Sequence, residues 1–310
     1  MKPMEGNQIL VTGGFGFVGS ELTKTLAPKN EVTVLGSTSN ISSLADIRDK
    51  ITVVNKDIRD ETITKHFGDI QYVFHQAARV TLPDSSIKAP RQDADINILG
   101  TLTVLDACRK NDVSKVIFAS SSAVYGEPVR VPIQEDNPLT PVTPYGLSKK
   151  TCEEYIQMYH DNYGLEFAIL RPFNIYGENQ SPNAVLARFI NLIRNKKPIK
   201  IFGDGSTTRD YIHVKDVVGA NILAGLSPST GIFNVGTGIE TSMNDLVGIL
   251  KEVCGEFDVK YLPEKSGGLP RSVADMRKTK KILGFESTIT LKEGIEMCLA
   301  SNEFSDINIT

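Results

Sequence analysis

The chain has 310 residues, enough for one large core with a smaller appended region or for two unequal domains. Its formal charge of -3 gives no field for gathering nucleic acid, and 40% apolar with 23% charged residues is the balance of a globular enzyme, not of a disordered tail or a repeat array. No apolar run reaches about 18 residues and no basic-then-apolar leader opens the sequence, which points to a cytoplasmic protein without a membrane span.

Residues 8–22 read QILVTGGFGFVGSEL: a β-prone strand, a turn with Gly13, Gly14, Gly16 and Gly19, and a helical pattern over Ser20–Leu26. Strand, glycine turn and helix in that order form the setting of a dinucleotide fingerprint, in which glycines let a pyrophosphate approach the backbone and let the helix pack close to the sheet. Further strands are expected at EVTVLG (31–36), ITVVNKD (51–57), YVFHQAA (72–78), KVIFASSS (115–122) and LEFAILRP (165–172), with helices at Ile96–Cys108 and Lys149–Tyr159 between them. Near-continuous apolar strands joined by helical crossovers predict an α/β fold, a doubly wound Rossmann-type parallel sheet.

Beyond about residue 172 the rhythm loosens. Helices are expected at Ala184–Ile193, from Lys215 to about Leu226, and at MNDLVGIL after Thr241 or Ser242 as N-cap. Residues 259–289 mix a short strand, a Gly-Gly-Leu-Pro turn and the helix-like ADMRKTKKIL, and SDINIT at the end has little to bury. The reading is a core over 1–172 and a smaller interleaved substrate-binding lobe over 173–310, with about 203–236 returning to the core.

Basic runs at 194–200 and 277–281 are short and read as solvated faces. Cys108, Cys152, Cys254 and Cys298 lack CxxC spacing, and His66, His75, His160 and His213 are dispersed, so no metal site is expected. The sharper signal is SSSAVYG, which ends a strand with Ser121, followed by PVTPYGLSKKTCEEY, which opens a helix. Tyr145 and Lys149 are four residues apart and share a helical face. A tyrosine is a poor base at neutral pH, and a nearby ammonium and a nicotinamide cation both favour phenolate. Lowering its pKa by about three units takes roughly 4 kcal/mol. Arg209 stands out in TTRDY after a GDGS turn, either as a phosphate-binding fork or as a salt-bridge partner of Asp210 or Asp216.

With these motifs the chain resembles the extended short-chain dehydrogenase/reductases, in particular the UDP-glucose 4-epimerase-like branch, from Ile9 to about Leu299. TGGxGxxG matches Thr12 to Gly19, the strand-end serine matches Ser121 in register with Val124-Tyr125-Gly126, and YxxxK matches Tyr145 and Lys149. HQAA (75–78), Asn97 in NILGT, RPFNIYG (171–177), TRDYIHVKDV (208–217) and RSVAD (271–275) extend the likeness.

The resemblance implies a tightly held NAD and a UDP-sugar, UDP-glucose or UDP-galactose, whose C4 is oxidised and then reduced from the other face. Tyr145 would exchange the proton of the C4 hydroxyl, Ser121 would bond the reacting oxygen with Ser120 and Ser122 as partial relays, and Lys149 would favour phenolate and hold the nicotinamide ribose. It assigns Gly13, Gly16, Phe17, Val18, Gly19, Asp57, Ile58, Ala77, Ala78 and Asn97 to the cofactor, and Ser122, Asn174, Arg209, Arg271 and Ser272 to the nucleotide sugar. It also implies a homodimer through helices near 92–109 and 145–162, with Ile96, Leu99, Val104 and Leu105 as apolar surface.

Two places depart from the family. Gly36, before Ser37-Thr38-Ser39, stands where an acid often holds the adenosine ribose, and no arginine follows it, so NAD is retained over NADP. Lys265 and Gly268 replace the arginine and acid of the nucleotide end. Ser272 aligns with a position that in the epimerases can be tyrosine or a smaller residue, and a serine there implies room for an N-acetyl group. Dehydratases of the family use an Asp-Glu pair where this chain has Ser122-Ala123, and related decarboxylases keep the glutamate. A cofactor-binding scaffold without catalysis is the remaining alternative.

Overall fold

The computed structural model describes residues 4–38, 41–80, 83–264 and 269–301. Strands β1 (Gln8–Thr12), β2 (Glu31–Gly36), β3 (Ile51–Asn55), β4 (Tyr72–His75), β5 (Lys115–Ala119) and β6 (Glu166–Pro172) come from the first half of the chain. In the second half, β7 (Asn174–Tyr176), β8 (Ile199–Phe202), β9 (Thr208–Arg209), β10 (Tyr211–His213), β11 (Gly231–Val235), β12 (Thr241–Ser242) and β13 (Val259–Leu262) follow. The main sheet runs β11-β6-β5-β4-β1-β2-β3, and every pairing in it is parallel. Strand order reverses between β1 and β4, and the crevice at the carboxyl ends of such a reversal is where open α/β sheets bind ligands.

The doubly wound architecture follows from which residues each face buries. Along β1, Ile9 and Val11 enter one core and Leu10 the other, so alternate residues cover opposite faces of a sheet that is apolar on both. Helices α1 (Phe17–Leu26) and α7 (Val214–Leu226) close the first face through Leu22, Leu26, Val217 and Ala224. Helices α4 (Gly100–Lys110) and α5 (Pro144–Tyr163) close the second through Val104, Leu105, Cys152 and Ile156. Between β4 and α4 lie two short helices, α2 (Pro83–Lys88) and α3 (Pro90–Asp93), and a π-helical turn, Ala94–Leu99. The predicted helix at 96–108 is therefore two helical forms joined at Gly100.

Helix α5 begins five residues before the predicted start. Thr143 caps it by accepting from the Gly146 amide at 3.1 Å, Pro144 supplies the fixed φ of a first helical residue, and Gly164 at φ 72° ends it. The smaller lobe packs α6 (Val185–Arg194), α8 (Met243–Cys254) and α10 (Leu291–Ala300) around Phe189, Ile190, Leu246 and Leu250. Ser242, not Thr241, is the N-cap of α8, in a capping box with Asp245. Short pairs β7/β10, β8/β13 and β9/β12 form separate two-stranded sheets, and α9 (Arg277–Leu283) packs on β11 of the main sheet.

Two of the residues expected to supply apolar dimer surface do not. Val104 and Leu105 are fully buried in the chain's own core, whereas Ile96 is half-buried and Leu99 is 53% exposed. Leu147 on α5 is 54% exposed as well. Among the described residues no helix is long and apolar enough to cross a membrane, and no His, Cys, Asp or Glu cluster is arranged to hold a metal. The substitutions at Lys265 and Gly268, and the terminal SDINIT, lie outside the described residues.

Candidate active site

A cleft of about 1190 Å³ opens at the carboxyl ends of the central strands. Its floor is the glycine turn. Gly13 has φ +67°, and a Cβ there would sit 2.7 Å from the Cα and amide nitrogen of Ala77, so only glycine lets the two backbones meet. A Cβ on Gly19 would lie 2.2 Å from the Gly13 carbonyl oxygen. Gly16 is the N-cap of α1 and provides no side-chain cap, and with Phe17 and Val18 it lines the cleft. A helix N-terminus with bare backbone facing a cleft suits a phosphate group, and the residues present fit the diphosphate of a dinucleotide.

A buried polar column holds this turn. The Ala77 amide donates to Thr12 Oγ1 at 3.2 Å, Thr12 Oγ1 meets His75 Nδ1 at 2.6 Å, and His75 Nε2 meets Thr101 Oγ1 at 2.9 Å. Burial, reinforced by the Lys149 charge, holds His75 neutral with a pKa of about 3. Ala77 and Ala78 line the cleft. Asn97 is 2% exposed and lies behind the wall. It accepts from the Arg79 amide at 2.7 Å and donates to Ser148 Oγ at 2.9 Å, so its amide braces α5 from within the protein. At the far end, Asp57 and Ile58 line the cleft beyond Gly36. Arg59 donates to both Asp57 oxygens, at 2.9 and 2.8 Å, and that bonding holds the carboxyl below its ordinary range.

Ser121, Tyr145 and Lys149 line the same cleft. Ser121 follows β5 and caps a short 3-10 turn, accepting from the Ala123 amide at 3.1 Å. Tyr145 stands in the first turn of α5, where its amide donates to Ser86 Oγ at 2.9 Å. Ser86 in turn donates to buried Asp93 at 2.5 Å. Lys149 Nζ donates to the Ala119 carbonyl at 2.6 Å and lies 4.6 Å from the Phe118 ring centroid. The expected downward shift of Tyr145 is not what the protein's own groups produce. Burial raises the phenol to about 12, the Ser121 hydroxyl opposes that rise, and Lys149 is turned toward Ala119. Burial also brings the Lys149 ammonium down to about 8.

A second cavity of about 320 Å³ shares Ile175, Gln180, Asn183 and Ala184 with the cleft and holds Asn174 and Arg209. Arg209 forms neither of the salt bridges considered from sequence. Asp210 accepts from Thr237, Gly238 and Ala274, and Asp216 from Thr288 and Ile289. Arg209 donates instead to the carbonyls of Thr208 and Leu269, at 2.6 and 2.9 Å, and burial lowers its pKa. A partly buried guanidinium that, among the described residues, bonds only to carbonyls keeps a full positive charge for an anion. Arg271 is placed differently: it makes a two-bond ion pair with Glu240, both bonds 2.6 Å. Ser122 and Ser272 lie on the wall of neither cavity, and Ser272 is 7% exposed.

A buried network behind the end of β5 went unread in the sequence. Arg171 on β6 donates to Glu153 on α5 at 2.9 and 2.6 Å and to Tyr125 Oη at 3.0 Å, and Tyr125 donates to Asn234 on β11 at 2.6 Å. Ser120 donates to the same Glu153 carboxylate, so its hydroxyl is committed away from any relay with Ser121. The signal available was the charge of Arg171 inside the apolar run LEFAILRP, whereas Glu153 sits in a helix already rich in polar residues.

Residues 9–236 match the family described as NAD dependent epimerase/dehydratase. A UDP-glucose 4-epimerase of Mycolicibacterium smegmatis is 38% identical over 301 residues, 92% of this chain and 95% of its own. Among solved structures, a UDP-N-acetylglucosamine 4-epimerase from Methanobrevibacter ruminantium, in complex with UDP-N-acetylmuramic acid, superposes with a TM-score of 0.91 at 34% identity, covering 96% of this chain and 99% of that one. The UDP-glucose 4-epimerase of Thermotoga maritima with UDP-glucose gives 0.89 at 36% identity, with 94% and 97% coverage. With the parallel sheet, the glycine turn and the Ser121-Tyr145-Lys149 cleft in place, the chain belongs to the NAD dependent epimerase/dehydratase family.

Proposed function

We propose that the protein is a UDP-hexose 4-epimerase that interconverts UDP-galactose and UDP-glucose and, on its likeness to a UDP-N-acetylglucosamine 4-epimerase rather than on Ser272, which lines neither cavity, also accepts the N-acetylated pair. The observation that carries the reading is the meeting of Ser121, Tyr145 and Lys149 in a cleft floored by a glycine turn and continuous with a cavity that holds Arg209. Gly13, Gly16, Phe17, Val18 and Gly19 hold the cofactor diphosphate at the start of α1, and Asp57 and Ile58 the adenosine end. NAD, held by these residues, would supply the hydride acceptor and a positive charge.

Tyr145 takes the proton of the sugar C4 hydroxyl and returns it when C4 is reduced. Ser121 bonds the reacting oxygen, and the Lys149 ammonium keeps cationic charge on the Tyr145 face of α5. Burial favours the neutral phenol, so the tyrosine gives up its proton only when cationic charge stands beside it. Arg209 and Asn174 hold the nucleotide diphosphate. Ser122-Ala123 offers no carboxylate for removing a second proton and water, which favours epimerisation over dehydration.

The test is to offer UDP-galactose and UDP-N-acetylgalactosamine without added nicotinamide and to identify the products. Formation of UDP-glucose and UDP-N-acetylglucosamine supports the reading. A 4-keto-6-deoxy product, or discrimination between the two sugars of more than about 1000-fold, would overturn it in favour of a dehydratase or a closed sugar pocket.

A further inference from the structure

Gly36 ends β2 at the adenosine end of the cleft, and Phe15 of the glycine turn lines the cleft beside it. A Cβ on Gly36 would fall 2.9 Å from Phe15 Cδ2 and 3.2 Å from its Cε2. The aromatic ring therefore occupies the space a side chain at 36 would need. Phe15 is partly buried: it packs against the core that contains Val34 and Leu44, and its carbonyl accepts from Ser43 Oγ at 3.2 Å, so displacing the ring toward the cleft costs it those core contacts. Of the charged groups, Asp57 lines this end, and Arg59, itself also bonded to Asp95, neutralises it in place. The rim at residues 36–38 thus offers an aromatic edge and the hydroxyl-bearing Ser37 and Thr38, with neither an acid nor a base.

We infer that Phe15 and Gly36 form one specificity unit for the cofactor's adenosine ribose, in which the ring has taken the place of a carboxylate and leaves the protein weakly selective between NAD and NADP. With no carboxylate at 36 a 2′-phosphate meets no like charge there, and among the described rim residues 36–38 it meets no cation, so both terms that usually separate the two cofactors are small. Gly36 cannot be returned to an acid alone, because Phe15 blocks it. The inference rests on the cofactor reading of the cleft and is independent of the sugar.

The experiment equilibrates purified protein with equal concentrations of NAD and NADP, removes free nucleotide, and measures by mass what is retained. Wild type should retain the two within about 10-fold of each other. Gly36→Asp should retain less of both at an unchanged ratio, because the new side chain drives the ring into the cleft. Phe15→Ala with Gly36→Asp should favour NAD by more than about 100-fold. Gly36→Ala reads the clash without a charge: retention should drop, and recover when Phe15→Ala is added. A wild-type ratio above about 10, a Gly36→Asp protein already as selective as the double variant, or a double variant no more selective than wild type overturns the inference. Retention of neither nucleotide by wild type overturns the cofactor reading beneath it, an outcome the sugar assay does not share.

Discussion

Arg171 donates two hydrogen bonds to Glu153, at 2.9 and 2.6 Å, with side chains only 2% and 1% exposed. The pair spans β6 and α5 one helical turn beyond Lys149, and Ser120 bonds the same carboxylate. Removing one partner strands the other charge in the interior. Glu153→Ala should lower unfolding free energy by about 3–5 kcal/mol in a denaturant titration. A loss below about 1 kcal/mol would mean that water or a neighbour replaces the carboxylate.

Tyr145→Phe keeps the ring and removes the hydroxyl, so turnover should fall by about 100- to 10000-fold while thermal stability and cofactor retention stay near wild type. Ser121→Ala should fall less steeply. Because the Ser120 hydroxyl is committed to Glu153, Ser120→Ala combined with Ser121→Ala should be no slower than Ser121→Ala by loss of a relay. Near-normal turnover of Tyr145→Phe would dismiss the phenol as the proton carrier.

Lys149 titrates near 8 in the folded protein, against about 10.4 for a free lysine. Between those values the unfolded chain holds a proton that the folded chain has released, so this group's contribution makes stability rise with pH across that window. Turnover depends on the ammonium and should fall as pH passes 8. Denaturant midpoints and initial rates from pH 7 to 10 should therefore move in opposite directions for wild type, and Lys149→Met should lose the stability trend. Rates that stay flat to pH 10 would count against the ammonium.

The two arginines should behave differently. Arg209→Ala removes a guanidinium bonded, among the described residues, only to carbonyls and should raise the KM for nucleotide sugar by about 100-fold, as expected for a lost charge-assisted contact to phosphate. Arg271 is already paired with Glu240 and largely exposed, so Arg271→Ala should change KM by less than about 10-fold. Steady-state kinetics decide, and a reversal of this order would move the phosphate site to Arg271.

Leu99 and Leu147 leave apolar surface uncovered on the second face of the sheet's helices. Light scattering should give twice the chain mass at micromolar concentration, and Leu99→Asp should shift the population toward one chain mass. A wild-type protein of single chain mass would remove the dimer.

Periodicity made the parallel core and the Tyr145-Lys149 face legible, because strand alternation and a spacing of four are local properties. Local pattern shows that some of Ile96, Leu99, Val104 and Leu105 must cover the chain's own sheet but does not say which, and the structure assigns Val104 and Leu105 to that core. Strands of two to four residues such as β9 and β10 are too short to carry a period. Ser120 and Glu153 are 33 residues apart and meet only once β5 and α5 are packed, so their bond had no local signature. The same holds for Arg271 and Glu240, whose pairing depends on the return of the chain past β9 and β12.

Asp210 is fully buried beside Arg209, and its carboxylate accepts from Thr237 N and Oγ1, Gly238 N and Ala274 N at 2.7–3.1 Å. Every one of those donors lies beyond residue 236, where the family match stops. A chain shortened at that point would keep the whole of the parallel sheet yet leave a carboxylate in the interior with its donors gone. Burial already raises the Asp210 pKa against those bonds, so the shortened protein would recover by taking up a proton or by opening β9 to water. The last quarter of the chain is therefore the keystone of the strand that carries Arg209, and a protease cutting after Gly236 should release a fragment that misfolds in its substrate half before its nucleotide-binding half.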